Sequence, residues 1–246
     1  MWSFFHKLGS PPWLFQISGQ ILRWLLPITV IALVVGAAWG LLFTSPDFRQ
    51  GNSYRISYLH VPAAVVSLAG YYVMAIAGAI SLIWKMKMAD IAMLAAAPVG
   101  AALTFLALVT GAIWGKPTWG AWWVWDARLT SMLILLFLYL GVIALYEAYE
   151  NKAAASKACA VLALVGTVNI PIIYKSVDWW YSLHQPASIK FTGESTIDSS
   201  MLYPLMLCIA AFYALFTCAL LANMRATILD RERKTGWVQR LVSEDA

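Results

Sequence analysis
Six stretches of roughly 20 residues, almost free of charge, dictate what this chain can fold into: about Trp24 to Phe43, Val61 to Trp84, Ala92 to Trp114, Leu129 to Tyr146, Ala158 to Tyr174 and Met201 to Met224. A hydrocarbon layer of about 30 Å is crossed by roughly 20 residues rising about 1.5 Å each, so every stretch has the length of a membrane-spanning helix. The fifth is the shortest. The 246 residues are 61% hydrophobic and only 12% charged, and the mean hydropathy is +0.71, far from the mix of a soluble domain. The first stretch is too long for the apolar region of a cleaved signal peptide, and Gly36-Ala37-Ala38 lies inside it, so it reads as a retained helix. The expected fold is all-α: a polytopic bundle of six transmembrane helices forming a single integral membrane domain over residues 1–246. No repeat or linker divides it.

Charge orients the bundle. With the N-terminus inside, the inner segments hold Lys7, Arg23, Lys85, Lys87, Lys152, Lys157, Arg225, Arg231, Arg233, Lys234 and Arg240, eleven of the 17 basic residues. The outer segments keep Arg49, Arg55, Lys116, Arg128, Lys175 and Lys190. The positive-inside rule then places both termini in the cytoplasm. A net charge of +5 is the ordinary flank of a membrane protein and implies no nucleic acid partner. The inner loops are short, so chemistry is expected in three outer loops, about 44–60, 115–128 and 175–200.

Two of the three histidines fall there, His60 and His184. Helices two to five cross the membrane four times between them, and an even number returns the chain to the same face; His6 is on the other side. In YLHVPAA, Pro62 would sit in a first helical turn, placing the His60 imidazole at the positive end of a helix dipole and favouring the neutral ring that binds metal. In VDWWYSLHQPAS, a helical segment would put Trp180 and His184 on one face. A lone histidine at a membrane interface is more often a surface residue than a ligand, but a pair on one side is different. The outer acids Asp47, Asp126, Asp178, Glu194 and Asp198 show no ligand spacing that would complete a zinc or copper site. Haem iron asks only for axial ligands, since the porphyrin fills four positions.

The segment WGKPTWGAWWVWDARLT, residues 114–130, holds five of the 13 tryptophans. Interfacial belts account for scattered indoles such as Trp13, Trp24, Trp39 and Trp84, but a belt spreads its rings over many helix ends. If residues 119–126 were helical, Trp119, Trp122, Trp123 and Asp126 would form one face at i, i+3, i+4 and i+7, a wall suited to a flat apolar plate.

Trp119-Gly120-x-x-Trp123-x-Trp125-Asp126, continued by Ala127-Arg128-Leu129-Thr130, resembles the WGxxWxWD signature of the haem-handling membrane proteins of cytochrome c biogenesis. Six spans, one outer histidine before helix two, another between helices five and six, and GNSYRISYLHVPAA around His60 narrow the likeness to the CcmC family over nearly the whole chain. CcmF and CcsA share the signature in longer chains. The resemblance implies that His60 and His184 are axial ligands of a transiently and non-covalently held haem b, with Trp114, Trp119, Trp122, Trp123, Trp125 and Asp126 as the platform around it. It implies a haem-binding maturation factor in the bacterial inner membrane, its functional loops periplasmic, presenting haem to the haem chaperone CcmE. The small membrane protein CcmD and the ABC components CcmA and CcmB would complete the assembly. Arg55, Arg128 and Lys116 share that region, and an arginine fork suits a haem propionate, although interfacial anchoring or an Arg128–Asp126 ion pair would explain them equally.

The remaining motifs narrow the chemistry. Cys159, Cys208 and Cys218 fall within spans with no C-x-x-C or C-x-x-C-H, and no Walker, HExxH or GxSxG motif occurs, so the chain is expected to be no enzyme and no c-type cytochrome. Two other functions compete. A permease moving haem through the bundle would need intramembrane polar residues, of which Asn169, Thr104 and Thr110 are the main ones. A bis-histidine b-type electron-transfer protein would place its ligands within spans.

Overall fold
A computed structural model describes residues 7, 9–180, 182–184 and 197–244. His6, Lys190, Glu194 and half of the third expected outer loop lie outside the described residues. The chain forms α1 (Pro11–Ala38), prolonged by a π-helical turn Trp39–Phe43; a 3-10 turn Asn52–Ile56 leading into α2 (Ser57–Trp84); α3 (Lys87–Trp119); α4 (Ala127–Ala148); α5 (Lys152–Gly166); α6 (Asn169–Trp179); α7 (Ser199–Arg231); and α8 (Gly236–Glu244). Six helical spans are long and apolar enough to cross a membrane, α5 and α6 together making the fifth and the 3-10 turn joining α2 in the second. The protein is a multi-pass membrane protein.

Local chemistry sets the ends. Asn151 caps α5 by accepting from the Ala153 and Ala154 amides, and Asp198 caps α7 through Ser200, as short polar side chains do for orphan amides at helix starts. The fifth span breaks at Thr167 and Val168, where the backbone tightens to i, i+3 bonds, Thr167 to Leu164 and Val168 to Val165. Pro171 explains the break, because its ring would clash with the Thr167 carbonyl in a continued helix. The second span starts earlier than its hydropathy suggests. Pro62, expected in a first turn, is inside α2, and His60 sits on a helix and not in a loop.

The core lies where α2, α3, α4 and α5 meet. Tyr71 and Tyr139 are fully buried, packed edge to face at 5.1 Å, and the Tyr139 hydroxyl donates to the Ser67 carbonyl at 2.7 Å. Small residues permit that approach: a Cβ on Gly100 would lie 2.1 Å from Tyr139 Cζ. Helices in lipid associate by such close packing, since the lipid is as apolar as their own side chains. α1 packs mainly on α7 and turns a broad apolar face outward, with Trp24, Ile28, Ile31 and Val34 exposed.

Side-chain contacts define the two ends of the bundle. At one, Arg231 of α7 reaches Asp90 of α3 at 2.6 Å and the Tyr146 hydroxyl of α4 at 3.0 Å. At the other lie both histidines.

Candidate functional site
His60, in the first turn of α2, leans on α3. Its Nδ1 is 2.9 Å from the Ala107 carbonyl oxygen and 3.1 Å from Thr110 Oγ1, while Thr110 spends its own proton on the Leu106 carbonyl at 2.6 Å. A carbonyl only accepts, so Nδ1 carries the hydrogen and the neutral ring keeps its lone pair on Nε2. This is the arrangement by which a protein orients a metal-binding histidine through its other nitrogen. The ring fits because residue 111 is glycine: a Cβ there would lie 2.9 Å from His60 Cε1.

Trp114 stands edge-on to His60, centroids 5.6 Å apart at 75°. Its Nε1 donates to Gln50 Oε1 at 2.7 Å. Gln50 is presented by a turn that Asp47 builds, its Oδ1 accepting from the Arg49 and Gln50 amides while Asp47 and Gly51 exchange backbone bonds. Gly51 takes φ 56° to close it, a conformation that costs glycine little.

The tryptophan segment is not the helix that would align its rings. α3 stops at Trp119 because Gly120 turns left-handed at φ 78°, and α4 starts afresh after Asp126, whose Oδ1 accepts from the Leu129 amide at 2.7 Å. Between them the chain is irregular, so Trp119, Trp122, Trp123 and Asp126 do not make one face. Trp119 stands 6.1 Å from His184, ring to ring. Trp123 packs edge-on to Trp125 at 5.5 Å, and its buried Nε1 has no acceptor among the described residues. Trp122 and Trp125 face outward, 58% and 76% exposed.

His184 follows α6, which ends at Trp179 with Trp180 extended, so Trp180 and His184 do not share a helical face. Asp126 supports it indirectly: Oδ2 accepts from Ser182 Oγ at 2.6 Å, and that oxygen accepts from the His184 amide at 3.1 Å. Arg128 completes the frame. Nε donates to Ser176 Oγ at 3.2 Å, Nη2 to the Tyr174 carbonyl at 3.1 Å, and Nη1 lies 3.2 Å from His184 Nδ1. No Arg128–Asp126 ion pair forms among the described residues. A guanidinium only donates, so Nδ1 of His184 accepts and the neutral ring carries its proton on Nε2, the opposite tautomer from His60.

The structure thus brings His60 with Trp114, and His184 with Trp119, Asp126 and Arg128, to the same end of the bundle. Arg55 is engaged elsewhere, donating from Nη2 to the Thr44 carbonyl at 2.6 Å, with its buried Nε lacking an acceptor among the described residues. Among the described residues no three His, Cys, Asp or Glu side chains gather to hold a bare metal ion. Gln50, Ser176 and Ser182 carry no motif and escape any reading of the sequence; Gly111 alone had a cue, a glycine inside a helix.

A profile of the family described as Heme exporter protein C matches residues 4–239. The chain belongs to that family. It is similar to the heme exporter protein C of Escherichia coli strain K12, 50% identical over 242 residues that cover 98% of each chain. The Haemophilus influenzae member is 46% identical over 241 residues, again 98% of each. The Rhodobacter capsulatus member is 40% identical over 229 residues, 93% of this chain and 95% of its own.

Proposed function
We propose that this chain is a haem-binding factor of cytochrome c maturation, which holds haem between His60 and His184 and hands it to a chaperone. The observation that carries the reading is the convergence of two imidazoles, each against a tryptophan from the end of α3. The printed name of its relatives points to haem as cargo. The residues fit that cargo unequally. His60 offers Nε2 as it stands. His184 offers Nε2 only when its proton moves to Nδ1 and Arg128 withdraws, so Arg128 acts as a restraint on the second ligand. Three of its five N–H groups are engaged, leaving two for a propionate. A site with one ready ligand and one releasable ligand suits a carrier better than a permanent cytochrome.

In this reading the molecule is one six-helix domain with both termini in the cytoplasm and the histidine end facing the periplasm from the inner membrane. Haem is bound non-covalently as haem b and performs no bond chemistry here, so the chain is no enzyme. The resemblance supplies the recipient, CcmE, and the companions CcmD, CcmA and CcmB; the exposed Trp122 and Trp125 suit a docking chaperone. The bundle interior favours presentation over permeation, because the polar residues a pathway would use are already engaged: Thr104 with Gly100, Thr110 with Leu106 and Asn169 with Ser131.

Replacing Trp114 and Trp119 together with leucine tests the reading. Two aromatic contacts at about 0.5–1.5 kcal/mol each correspond to roughly a tenfold loss of haem retention, with matching loss of CcmE loading while the protein still inserts. Normal retention and loading would return these indoles to interface anchoring. Gly111→Ala is a finer probe. Its Cβ displaces the His60 ring, and the haem absorption maximum and its redox midpoint are expected to shift in protein that elutes as wild type.

A further inference from the structure
At the end of the bundle opposite the histidines, a cavity of about 480 Å³ opens between α1, α7 and α8. Each helix contributes one arginine to its lining: Arg23, Arg225 and Arg240, with Gln16, Gln20 and Trp237 between them. No acid lines it. None of the three arginines takes part in an ion pair among the described residues. Arg225 is set in place by neutral groups. It donates to the Phe15 carbonyl, lies 3.7 Å over the Phe15 ring and occupies the space a side chain at Gly19 would fill. Three cations gathered without a carboxylate repel one another, an arrangement that an anion relieves. Planar guanidinium forks match the oxygens of a phosphate.

Depth and surroundings specify the source of that phosphate. The apolar run of α1 begins at Trp24 and that of α7 ends at Met224, so Arg23 and Arg225 each stand one residue beyond the hydrocarbon segment, at headgroup level. α8 lies beside them with Trp237 and Leu241 packed toward the Phe15 and Ile228 cluster, in the manner of an interfacial amphipathic helix. The α1 face that carries Gly19 and Arg23 continues as Leu26, Val30 and Val34, all exposed, an apolar track leading from the cavity along the membrane.

We infer that this cavity binds the phosphate headgroup of an anionic phospholipid through Arg23, Arg225 and Arg240, its acyl chains lying along Leu26, Val30 and Val34. A basic pocket between helices at the membrane surface is the general form of such a site. In the orientation proposed above, the lipid comes from the cytoplasmic leaflet.

The test compares the full-length protein with an Arg23→Gln/Arg240→Gln variant, which leaves Arg225 and its ties to α1 in place. Both proteins are purified in detergent and offered phosphatidylglycerol, phosphatidylcholine or inorganic phosphate, and bound lipid is read by native mass spectrometry alongside thermal unfolding. The wild type should retain phosphatidylglycerol in preference to phosphatidylcholine and unfold at a higher temperature with it. The variant should retain it roughly 30-fold more weakly, with high salt imitating the variant. Equal retention by both proteins, or no preference between the lipids, would overturn the site. A thermal shift produced equally by inorganic phosphate would overturn the lipid as its occupant. Undiminished lipid retention by a variant that no longer associates with CcmA and CcmB would reassign the arginines to a protein contact.

Discussion

Protein carrying His60→Ala is expected to lose the low-spin haem spectrum of the wild type, and protein carrying His184→Ala to keep haem in a five-coordinate, high-spin form. The difference follows from the two tautomers. His60 is oriented by the Ala107 carbonyl with Nε2 available, so in the proposed site its removal would take the ligand that needs no rearrangement. His184 is held by Arg128 through Nδ1, so in the proposed site its removal would take the ligand that joins only after release. Disturbing the groups around a ligand typically costs about 10–100-fold in affinity, and losing the His60 ring itself lies at or beyond the upper end of that range. Imidazole added to His184→Gly is expected to restore the low-spin bands, since the iron would accept a sixth ligand without the tether. Absorption and resonance Raman spectra of purified protein at matched haem content read all of these. An unchanged low-spin spectrum at full occupancy in either alanine variant would remove that histidine from the iron.

The second large effect lies in the core. Gly100→Ala places a Cβ 2.1 Å from Tyr139 Cζ, and Tyr139 has no room to retreat. The ring is fully buried, packed on Tyr71 and bound to the Ser67 carbonyl. Overpacking costs about 1–3 kcal/mol, and a phenol pushed off its acceptor adds about 1–3 kcal/mol more. A fall of that size is expected in thermal unfolding of the detergent-solubilised protein, together with poor yield. Gly141→Ala serves as the control, since its Cβ would meet only Leu162 Cδ2 at 3.3 Å. Tyr139→Leu combined with Gly100→Ala is expected to recover part of the loss, because residues in contact do not add independently. Full stability in Gly100→Ala would show that α3 and α4 are not set by this contact.

Hydropathy and length make the six spans legible in the sequence, because lipid imposes one requirement over some 20 consecutive residues. Helix ends are another matter. The start of the second span hides in Asn52–Ile56, a polar 3-10 turn that no apolar run announces. The fifth is the shortest apolar run because Lys157 and Lys175 bound it, yet its helices extend over Lys152–Trp179. For the candidate site, parity of crossings suffices to bring His60 and His184 to one end. The arrangement of the tryptophans does not follow from their spacing, because Gly120 and Asp126 end one helix and begin another. The atoms that set each imidazole lie 47 and 56 residues away, at Ala107 and Arg128, and contacts of that range leave no periodicity to read.

The break after Gly166 also has a bearing on how the site tolerates change. Adding one residue to an unbroken α-helix rotates everything beyond it by about 100°. The turn at Thr167 and Val168 interrupts that rule, so α6 takes its own bearing and is not a continuation of α5 when it leads the chain toward His184. His60 stands near the start of its own span, so later insertions in α2 leave its bearing unchanged. The bearing of each imidazole is therefore a local matter, settled by the first turn of α2 for His60 and by the short α6 and the chain after it for His184.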